Sequence, residues 1–508
     1  MIKDLFFEKP EKEGLASEKI HEMLDFFEEW KINVHSFLIA RRGKILAEAY
    51  APPFDKEFKH RLYSCSKTFV AVAVGKLIGE GKLRLEDKLC SFFPEYTDGE
   101  GLNEWVKDIT VKDALTMSVP FIEDGYINAK GGPTKFKTEN WARSFFSGEF
   151  VSVKPNGTWF SYNTSATYQL NVLVEKLTGM PFLEYLRPEL DAVGIKNIEC
   201  VKSPDGYSWG GSGVICRLRD FAKFAELLMN KGEANGKQLL PREYMEQAIS
   251  KQTDTLLDGG YGLDTGYGYQ IWVNKYGFGL HGMAGQFAFC FPDKDFMFVC
   301  NSDTLNSRDG YKDKFLHCAT SLYRSLSEEE LPESDGYTRL QERLENFSLV
   351  LGFGEKDSPL RKKVNGVKYR LRENPMNIRF VEFNWTGARG VLRYENERGE
   401  KEIPFGMEYY EQFDFPETHY YDKQVAVGAG RGLKSLSAGS WISENRLLIR
   451  VNAVDWSMGH LGIIADFKEN LVALKFTKTA EEFLWEYNGC AVGFRESEEE
   501  DDLDRMAV

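Results

Sequence analysis

Residues 61–70 read RLYSCSKTFV, and they lead directly into the apolar run FVAVAV at residues 69–74. The run predicts a buried helix, and Ser64 and Lys67 stand three residues apart where this helix begins. Side chains three residues apart share one face of a helix, with Cβ atoms about 5–6 Å apart, so Lys67 Nζ can reach Ser64 Oγ. The spacing therefore predicts a contact between a hydroxyl and an amine at the start of a buried helix.

Such a contact can activate the serine. A serine hydroxyl is a weak nucleophile unless a neighbouring group accepts its proton. An apolar wall disfavours the charged form of Lys67, and the start of a helix favours negative charge developing on Ser64 Oγ. Ser66 has no such neighbour, because residue 69 is Phe. In a simpler interpretation Ser64 caps the helix and Lys67 faces solvent, and the spacing alone fits both.

The longer stretch at residues 61–96, RLYSCSKTFVAVAVGKLIGEGKLRLEDKLCSFFPEY, resembles the first active-site motif of the serine β-lactamase and penicillin-binding-protein superfamily. Within that superfamily it is most similar to class C β-lactamase-like serine hydrolases and esterases. The resemblance covers about residues 12–325. It implies an α+β fold of the β-lactamase/transpeptidase type, in which helices flank an antiparallel sheet and a helical subdomain accompanies it.

A second motif is then expected downstream, and KPNGTWFSYNTSATYQLNVLVEKLTG at residues 154–179 resembles it. The resemblance places Tyr162 opposite the nucleophile. It places Thr164 where related sequences usually have an asparagine that orients the substrate. The alternative is a buried tyrosine that only packs beside an amphipathic helix.

The stretch LHGMAGQ at residues 280–286 resembles the third active-site motif of this superfamily. In the preferred register Gly282 takes the glycine position, Leu280 takes the lysine position and His281 falls between them. Without a lysine at residue 280, the strand offers no fixed cation to a carboxylate such as that of a β-lactam. His281 is either a substrate-facing residue or an ordinary core histidine.

The resemblance implies an acyl-transfer serine hydrolase that forms an acyl-enzyme on Ser64 and hydrolyses an ester or amide of a small molecule or peptide. Lys67 and Tyr162 would share the proton transfers, and the backbone N–H groups of Ser64 and Met283 would hold the oxyanion. Neither a cofactor nor a metal is implied. Two alternatives remain open: a non-catalytic ligand-binding or sensor protein on the same fold, and a β-lactamase or D-amino-acid peptidase.

The chain has 508 residues, which predicts more than one domain. The acidic segment LSEEELPESDG at residues 326–336 suggests a boundary between a hydrolase domain, residues 1–330, and a second domain, residues 331–495. Segments of period two with glycine-rich turns predict that the second domain is all-β, a sandwich or a small barrel. Residues 496–508 form an acidic tail that we expect to be disordered.

Composition indicates the cellular setting. The net charge of −14 argues against nucleic-acid partners and anionic membranes. The N-terminus shows no signal-peptide pattern, and the longest apolar runs are too short to span a bilayer. Eight scattered cysteines without CxxC pairs fit reduced, buried thiols. We therefore expect a cytoplasmic protein that acts on a small molecule or peptide; the sequence has no signal for an oligomeric state.

Overall fold

The computed structural model describes residues 6–97, 102–121, 140–146, 151–256, 264–304, 311–417, 434–456, 458–480, 484 and 486–496. The chain forms two compact units, Met1–Leu349 and Val350–Val508. Residues 497–508, nearly all of the expected acidic tail, lie outside the described residues. All eight cysteines are free thiols. Within the described ranges no helix has the length and apolar character needed to cross a membrane.

The strands of the first unit follow one another along the chain as β1 (Phe6–Phe7), β2 (Val34–Arg41), β3 (Lys44–Tyr50), β4 (Lys59–Arg61), β5 (Glu199–Cys200), β6 (Val214–Arg217), β7 (Glu233–Ala234), β8 (Lys237–Gln238), β9 (Thr253–Asp254), β10 (Asp264–Tyr267), β11 (Trp272–Asn274), β12 (Phe278–Gly282), β13 (Gln286–Phe291) and β14 (Phe296–Ser302). Nine of these described strands form one sheet in the order β1-β3-β2-β14-β13-β12-β11-β10-β9. All pairings in it are antiparallel except that of β1 with β3. A second, small sheet has the order β4-β6-β5 and leads into the Ser64 segment.

The helices of the first unit are α1 (Ser17–Glu29), α2 (Ser66–Gly79), α3 (Pro94–Thr97), α4 (Glu104–Lys107), α5 (Val111–Leu115), α6 (Trp141–Ser144), α7 (Thr164–Thr178), α8 (Phe182–Tyr185), α9 (Arg187–Ala192), α10 (Leu218–Met229), α11 (Arg242–Ala248), α12 (Tyr311–Ser325) and α13 (Gly336–Glu345). Helices α1, α12 and α13 share a hydrophobic cluster with the large sheet. Helix α10 contacts β2, β13 and β14 of that sheet. The expected antiparallel sheet with flanking helices is therefore confirmed, with one parallel pairing at its edge.

Local sequence explains the elements that position the site. Helix α2 is apolar on all sides, and such helices are buried. Phe69 on α2 stacks on Phe224 of α10 with ring centroids 3.6 Å apart. The β2–β3 hairpin turns at Arg42 and Gly43, whose φ angles of 51° and 74° suit a tight two-residue turn. Gly179 ends α7 with a left-handed φ of 72°, a conformation that glycine adopts without strain.

The boundary between the two units lies about twenty residues later than the expected position at residue 330. Helix α13 follows the acidic segment, and its Leu340 is fully buried in the hydrophobic cluster of the first unit. Arg343 on the same helix pairs with Asp25 and Glu28 of α1, at 2.7 and 2.8 Å. Composition gave no sign that the helix after the acidic segment packs back onto α1.

The second unit is a closed β-barrel, so the barrel alternative is confirmed. Its elements are α14 (Arg361–Val364), β15 (Val367–Leu371), β16 (Phe380–Thr386), β17 (Arg389–Asn396), β18 (Gly399–Gly406), β19 (Glu411–Asp414), β20 (Lys434–Ser443), β21 (Arg446–Ala453), β22 (Gly459–Lys468), β23 (Leu471–Ala480) and β24 (Gly489–Arg495). Nine of the described strands close the barrel through the β15–β24 and β18–β20 pairings, and β19 adds to β20. Trp385 and Trp441 stack in the barrel core with ring centroids 6.1 Å apart.

Candidate active site

Ser64 lies in a tight turn between strand β4 and helix α2. The Leu62 N–H donates to the Val214 carbonyl at 2.8 Å, which extends the β4–β6 pairing up to the turn. Tyr63 has a φ of 48°, a left-handed value that costs a bulky residue about 1–3 kcal/mol and is concentrated at functional sites. The buried Arg61 guanidinium lies 4.5 Å from the Tyr63 ring centroid, which helps to hold this conformation. The surrounding fold therefore maintains a strained backbone directly before Ser64.

Lys67 is buried and points at Ser64. Its side chain is only 1% exposed, and Nζ donates to Ser64 Oγ at 3.0 Å and to the Gly211 carbonyl oxygen at 2.7 Å. Cys65, not Ser64, occupies the cap position of α2, and no side chain caps this helix end. The simpler interpretation of the sequence, a serine cap followed by a solvent-facing lysine, is therefore wrong. Burial of α2 brings Lys67 against the serine instead.

Tyr162 is brought next to this pair. Its ring centroid lies 5.0 Å from Lys67 Nζ. The half-buried ring stacks on Trp272 with centroids 5.8 Å apart and planes 17° apart, and its edge meets the Tyr267 ring at 6.4 Å. Phe160 and Tyr267 support these rings from behind, each 1% exposed. We call Phe160, Tyr162, Tyr267, Trp272 and His281 the aromatic wall.

Thr164 and its neighbour Asn163 begin helix α7. Asn163 Oδ1 accepts the Ala166 N–H at 2.9 Å, so its carboxamide oxygen serves the helix end. Thr164 is buried against Gly211, where an added Cβ would lie 2.6 Å from Thr164 Cγ2. The Gly211 carbonyl oxygen is the group that accepts from Lys67. Thr164 thus packs behind the backbone that orients the lysine.

The third motif approaches the nucleophile through Gly282. This residue ends β12, and an added Cβ would lie 2.2 Å from the Leu62 carbonyl oxygen and 3.2 Å from Cys65 Sγ. Met283 follows in a turn that continues through Ala284, with φ 64°, and Gly285, with φ 89°. This close approach brings the Met283 segment beside the Ser64 turn.

Buried hydrogen bonds fix the Met283 turn. The fully buried Gln286 donates from Nε2 to the Met283 carbonyl at 3.3 Å and to the Ser302 carbonyl at 2.8 Å. Asn301 Nδ2 in turn donates to Gln286 Oε1 at 2.8 Å. The Gln286 side chain, itself held by Asn301, therefore ties the Met283 carbonyl to the Ser302 carbonyl of β14.

His281 belongs to the aromatic wall. Its ring is 8% exposed and stacks on Trp272 with centroids 5.5 Å apart and planes 12° apart. Phe287 meets it edge-on at 5.5 Å. The histidine thus lies against Trp272, the same ring that stacks on Tyr162.

Cys65 is adjacent to Ser64 in sequence but is a poor competitor as a nucleophile. Its side chain is fully buried, and Sγ donates to the Gln286 carbonyl at 3.3 Å. Burial raises the pKa of the thiol well above its usual value. The reactive thiolate is therefore disfavoured, whereas the Ser64 side chain is half-buried.

Sequence reasoning missed two residues of this site. Trp272 joins Tyr162 and His281. Gln270 connects three helices: Thr68 donates to its carbonyl at 3.0 Å, Thr167 donates to its Oε1 at 2.5 Å, and its Nε2 donates to the Ala114 carbonyl at 2.9 Å. The Gln270 contacts join residues about 100 to 200 positions apart, for which a single sequence has no periodic signal.

Metal-binding side chains are not grouped around Ser64 in the part of the chain that the structure describes. Within the described ranges, the structure places no three His, Cys, Asp or Glu side chains closely enough to hold a metal ion. Lys67 Nζ lies 3.0 Å from Ser64 Oγ, and the Tyr162 ring lies beside Lys67. The arrangement can support proton transfer to and from a serine hydroxyl.

Known proteins show the same architecture. The Beta-lactamase family model matches residues 26–320. A 6-aminohexanoate-dimer hydrolase from Paenarthrobacter ureafaciens is 26% identical over 274 residues, which span 49% of this chain and 67% of that protein. A Bacillus anthracis structure named after the same hydrolase is 20% identical with a TM-score of 0.50, and the match covers 65% of this chain and 89% of that one.

A further solved structure, the octameric penicillin-binding protein homologue from Pyrococcus abyssi, is 18% identical with a TM-score of 0.49. That match covers 94% of this chain and 99% of the other. The family match alone spans more than half of the chain and contains Ser64, Lys67, Tyr162 and the third motif. The protein therefore belongs to the β-lactamase family. This is the group of serine hydrolases that its Ser64 motif resembles.

Proposed function

We propose that the protein is a serine hydrolase that cleaves an ester or amide of a small molecule or peptide through an acyl-enzyme on Ser64. The observation that carries the proposal is the 3.0 Å hydrogen bond between the buried Lys67 Nζ and Ser64 Oγ. A lysine in this place, in its neutral form, can accept the serine proton as the hydroxyl attacks a carbonyl carbon. Tyr162, whose ring lies 5.0 Å from Lys67 Nζ, is positioned to share that proton transfer.

The proposed hydrolysis needs no co-reactant other than water. Ser64 Oγ forms a bond to the carbonyl carbon, and the resulting oxyanion accepts hydrogen bonds from the N–H groups of Ser64 and Met283. The bond to the leaving oxygen or nitrogen then breaks, and Lys67 and Tyr162 deliver the serine proton to that atom. Water attacks the acyl-enzyme, which releases the acid and restores the Ser64 hydroxyl.

Three further residues would support this chemistry. Thr164 would hold the Gly211 backbone that orients Lys67, and Gly282 would allow the Met283 segment to approach the serine. His281 would line the aromatic wall on which the substrate rests. The Paenarthrobacter relative is named for hydrolysis of an amide dimer, which favours short linear amides beside esters as substrates.

The test is covalent labelling followed by turnover. We expect intact-mass measurement after incubation with a fluorophosphonate to show one adduct on the wild type and none on Ser64→Ala. Ser66→Ala is the matched control, because the Ser66 hydroxyl accepts the Val214 N–H at 2.9 Å and is buried, so its removal should leave the adduct. A folded wild type that forms no adduct would contradict the proposal.

Turnover separates the remaining alternatives. Hydrolysis of 4-nitrophenyl esters or anilides that disappears in Ser64→Ala supports the hydrolase. Acylation without turnover would instead support a sensor on the same fold. Hydrolysis of a chromogenic cephalosporin would support a β-lactamase, for which Leu280 in the third motif supplies no cation.

A further inference from the structure

Lys312 brings a positive charge to the aromatic wall from outside the three motifs. It lies near the start of helix α12, and its Nζ is 4.8 Å from the centroid of the Trp272 ring. Trp272 stacks on Tyr162, and Tyr162 lies 5.0 Å from Lys67 Nζ. One continuous series of contacts therefore connects Ser64 to the Lys312 ammonium.

The exposure of these side chains shows which of them a ligand can touch. Phe160 and Tyr267 are almost fully buried behind the wall, whereas Tyr162, Trp272 and Lys312 are half-buried. A molecule whose carbonyl is at Ser64 can therefore lie along the Tyr162 and Trp272 rings and reach Lys312. The rings favour an apolar chain or ring in the part of the molecule that they contact.

The setting of Lys312 strengthens its attraction for an anion. An ammonium over an indole face is held by the ring quadrupole, which reduces the freedom it must lose when it binds a ligand. A partly desolvated charge also interacts with an opposite charge more strongly than one in bulk water. Leu280 on β12 is buried and uncharged, whereas Lys312 on α12 brings an ammonium to the Trp272 end of the wall.

We propose that Lys312 and Trp272 form an anion subsite that binds a carboxylate of the substrate. The substrate class is an ester or amide in which an apolar segment separates the scissile carbonyl from a terminal carboxylate. This inference rests on the proposed function of Ser64, and it adds the specificity of the same site.

A matched pair of substrates tests it. 4-Nitrophenyl hydrogen adipate ends in a carboxylate, and 4-nitrophenyl hexanoate has the same chain length and ends in a methyl group. For Lys312→Met we expect kcat/KM to fall about tenfold for the adipate through a higher KM and to stay unchanged for the hexanoate. In the wild type, added salt should raise KM for the adipate only.

Lys314→Met is the matched control. Lys314 is on the same helix, and its Nζ lies 4.2 Å from the ring centroid of Trp30, which follows α1, so it makes the same kind of contact at a different tryptophan. This variant should keep the wild-type preference for the adipate. Equal losses for both esters in Lys312→Met, or no loss for either, would overturn the proposal.

A binding measurement keeps the subsite testable if turnover fails. Calorimetric titration of adipic acid monoanilide into Ser64→Ala protein needs no catalysis. We expect binding that weakens about tenfold when Lys312→Met is added and is unchanged by Lys314→Met. An affinity that Lys312→Met leaves unchanged, or no binding at all, would overturn the proposed subsite. Absence of ester turnover by the wild type would contradict only the proposed function.

Discussion

Gly282 and Leu62 approach so closely that only a glycine fits between the third-motif strand and the nucleophile turn. A Cβ at Gly282 would lie 2.2 Å from the Leu62 carbonyl oxygen, a distance that side-chain atoms do not adopt. The obstacle is backbone, since the Leu62 N–H is held by the Val214 carbonyl at 2.8 Å. Strand β12 can therefore lie this close to the Ser64 turn only because residue 282 has no side chain.

Gly282→Ala should therefore separate β12 from the Ser64 turn. Inserting a methyl group into a packed interior costs about 1–3 kcal/mol, and this collision also displaces the Met283 N–H. We expect a lower melting temperature and at least a tenfold slower reaction with a fluorophosphonate. Gly462→Ala is the control, because an added Cβ there would lie 3.8 Å from the Thr477 carbonyl oxygen, an ordinary contact distance. Labelling of Gly282→Ala at the wild-type rate would show that the approach is unimportant.

Lys67→Met should abolish most of the reactivity of Ser64 while leaving the fold intact. Methionine fills much of the lysine volume but cannot accept the serine proton, and general-base catalysis contributes about 10²–10⁴-fold. The measurement is the second-order rate constant for fluorophosphonate labelling. Lys76→Met on the same helix is the control, because Lys76 Nζ donates to the Tyr185 carbonyl at 2.8 Å and pairs with Glu189. A rate within twofold of the wild type in Lys67→Met would remove Lys67 from the mechanism.

Tyr162→Phe should lower turnover without disturbing the aromatic wall. The phenyl ring can keep the stacking on Trp272, so the variant tests the hydroxyl alone. We expect kcat to fall about 10²-fold or more with little change in melting temperature. Tyr269→Phe serves for comparison, since the Tyr269 hydroxyl donates to Gln247 Oε1 at 2.9 Å and its loss should leave kcat unchanged. An unchanged kcat in Tyr162→Phe would mean that the tyrosine only packs.

Much of the first unit could be predicted because its signals are local. The apolar run after Lys67 predicted the buried helix α2. The three motifs predicted that Ser64, Lys67 and Tyr162 come together, and the distances agree. These features depend on neighbours in the sequence or on short motifs in a fixed order.

The remaining features depend on contacts between distant residues. Trp272 and Lys312 meet because α12 packs against the sheet, and neither residue belongs to a repeating pattern. In the second unit, alternation predicted individual strands such as β16, but closure of the barrel depends on the pairings of β15 with β24 and of β18 with β20. Such pairings follow from the fold as a whole, which is why the sequence alone did not distinguish a sandwich from a barrel.

The burial of His60 predicts that acid lowers the stability of the folded protein. It lies on β4, four residues before Ser64, is 1% exposed, and its Nε2 is 3.1 Å from Nδ1 of the buried His35. Burial lowers the pKa of His60 from 6.5 to about 3. The neutral ring is therefore the form that the folded state favours.

The direction of the effect follows from proton binding. Between pH 6.5 and about 3 the unfolded chain carries a proton on residue 60 that the folded chain lacks, so acid favours unfolding. This group alone should lower the free energy of unfolding by about 1.4 kcal/mol per pH unit as the pH falls below 6.5. His60→Gln removes the titration, so its stability should fall less steeply than that of the wild type in urea titrations between pH 6.5 and 4.5. His317→Gln, at an exposed position on α12, should keep the wild-type slope, and a His60→Gln slope equal to it would contradict the assignment.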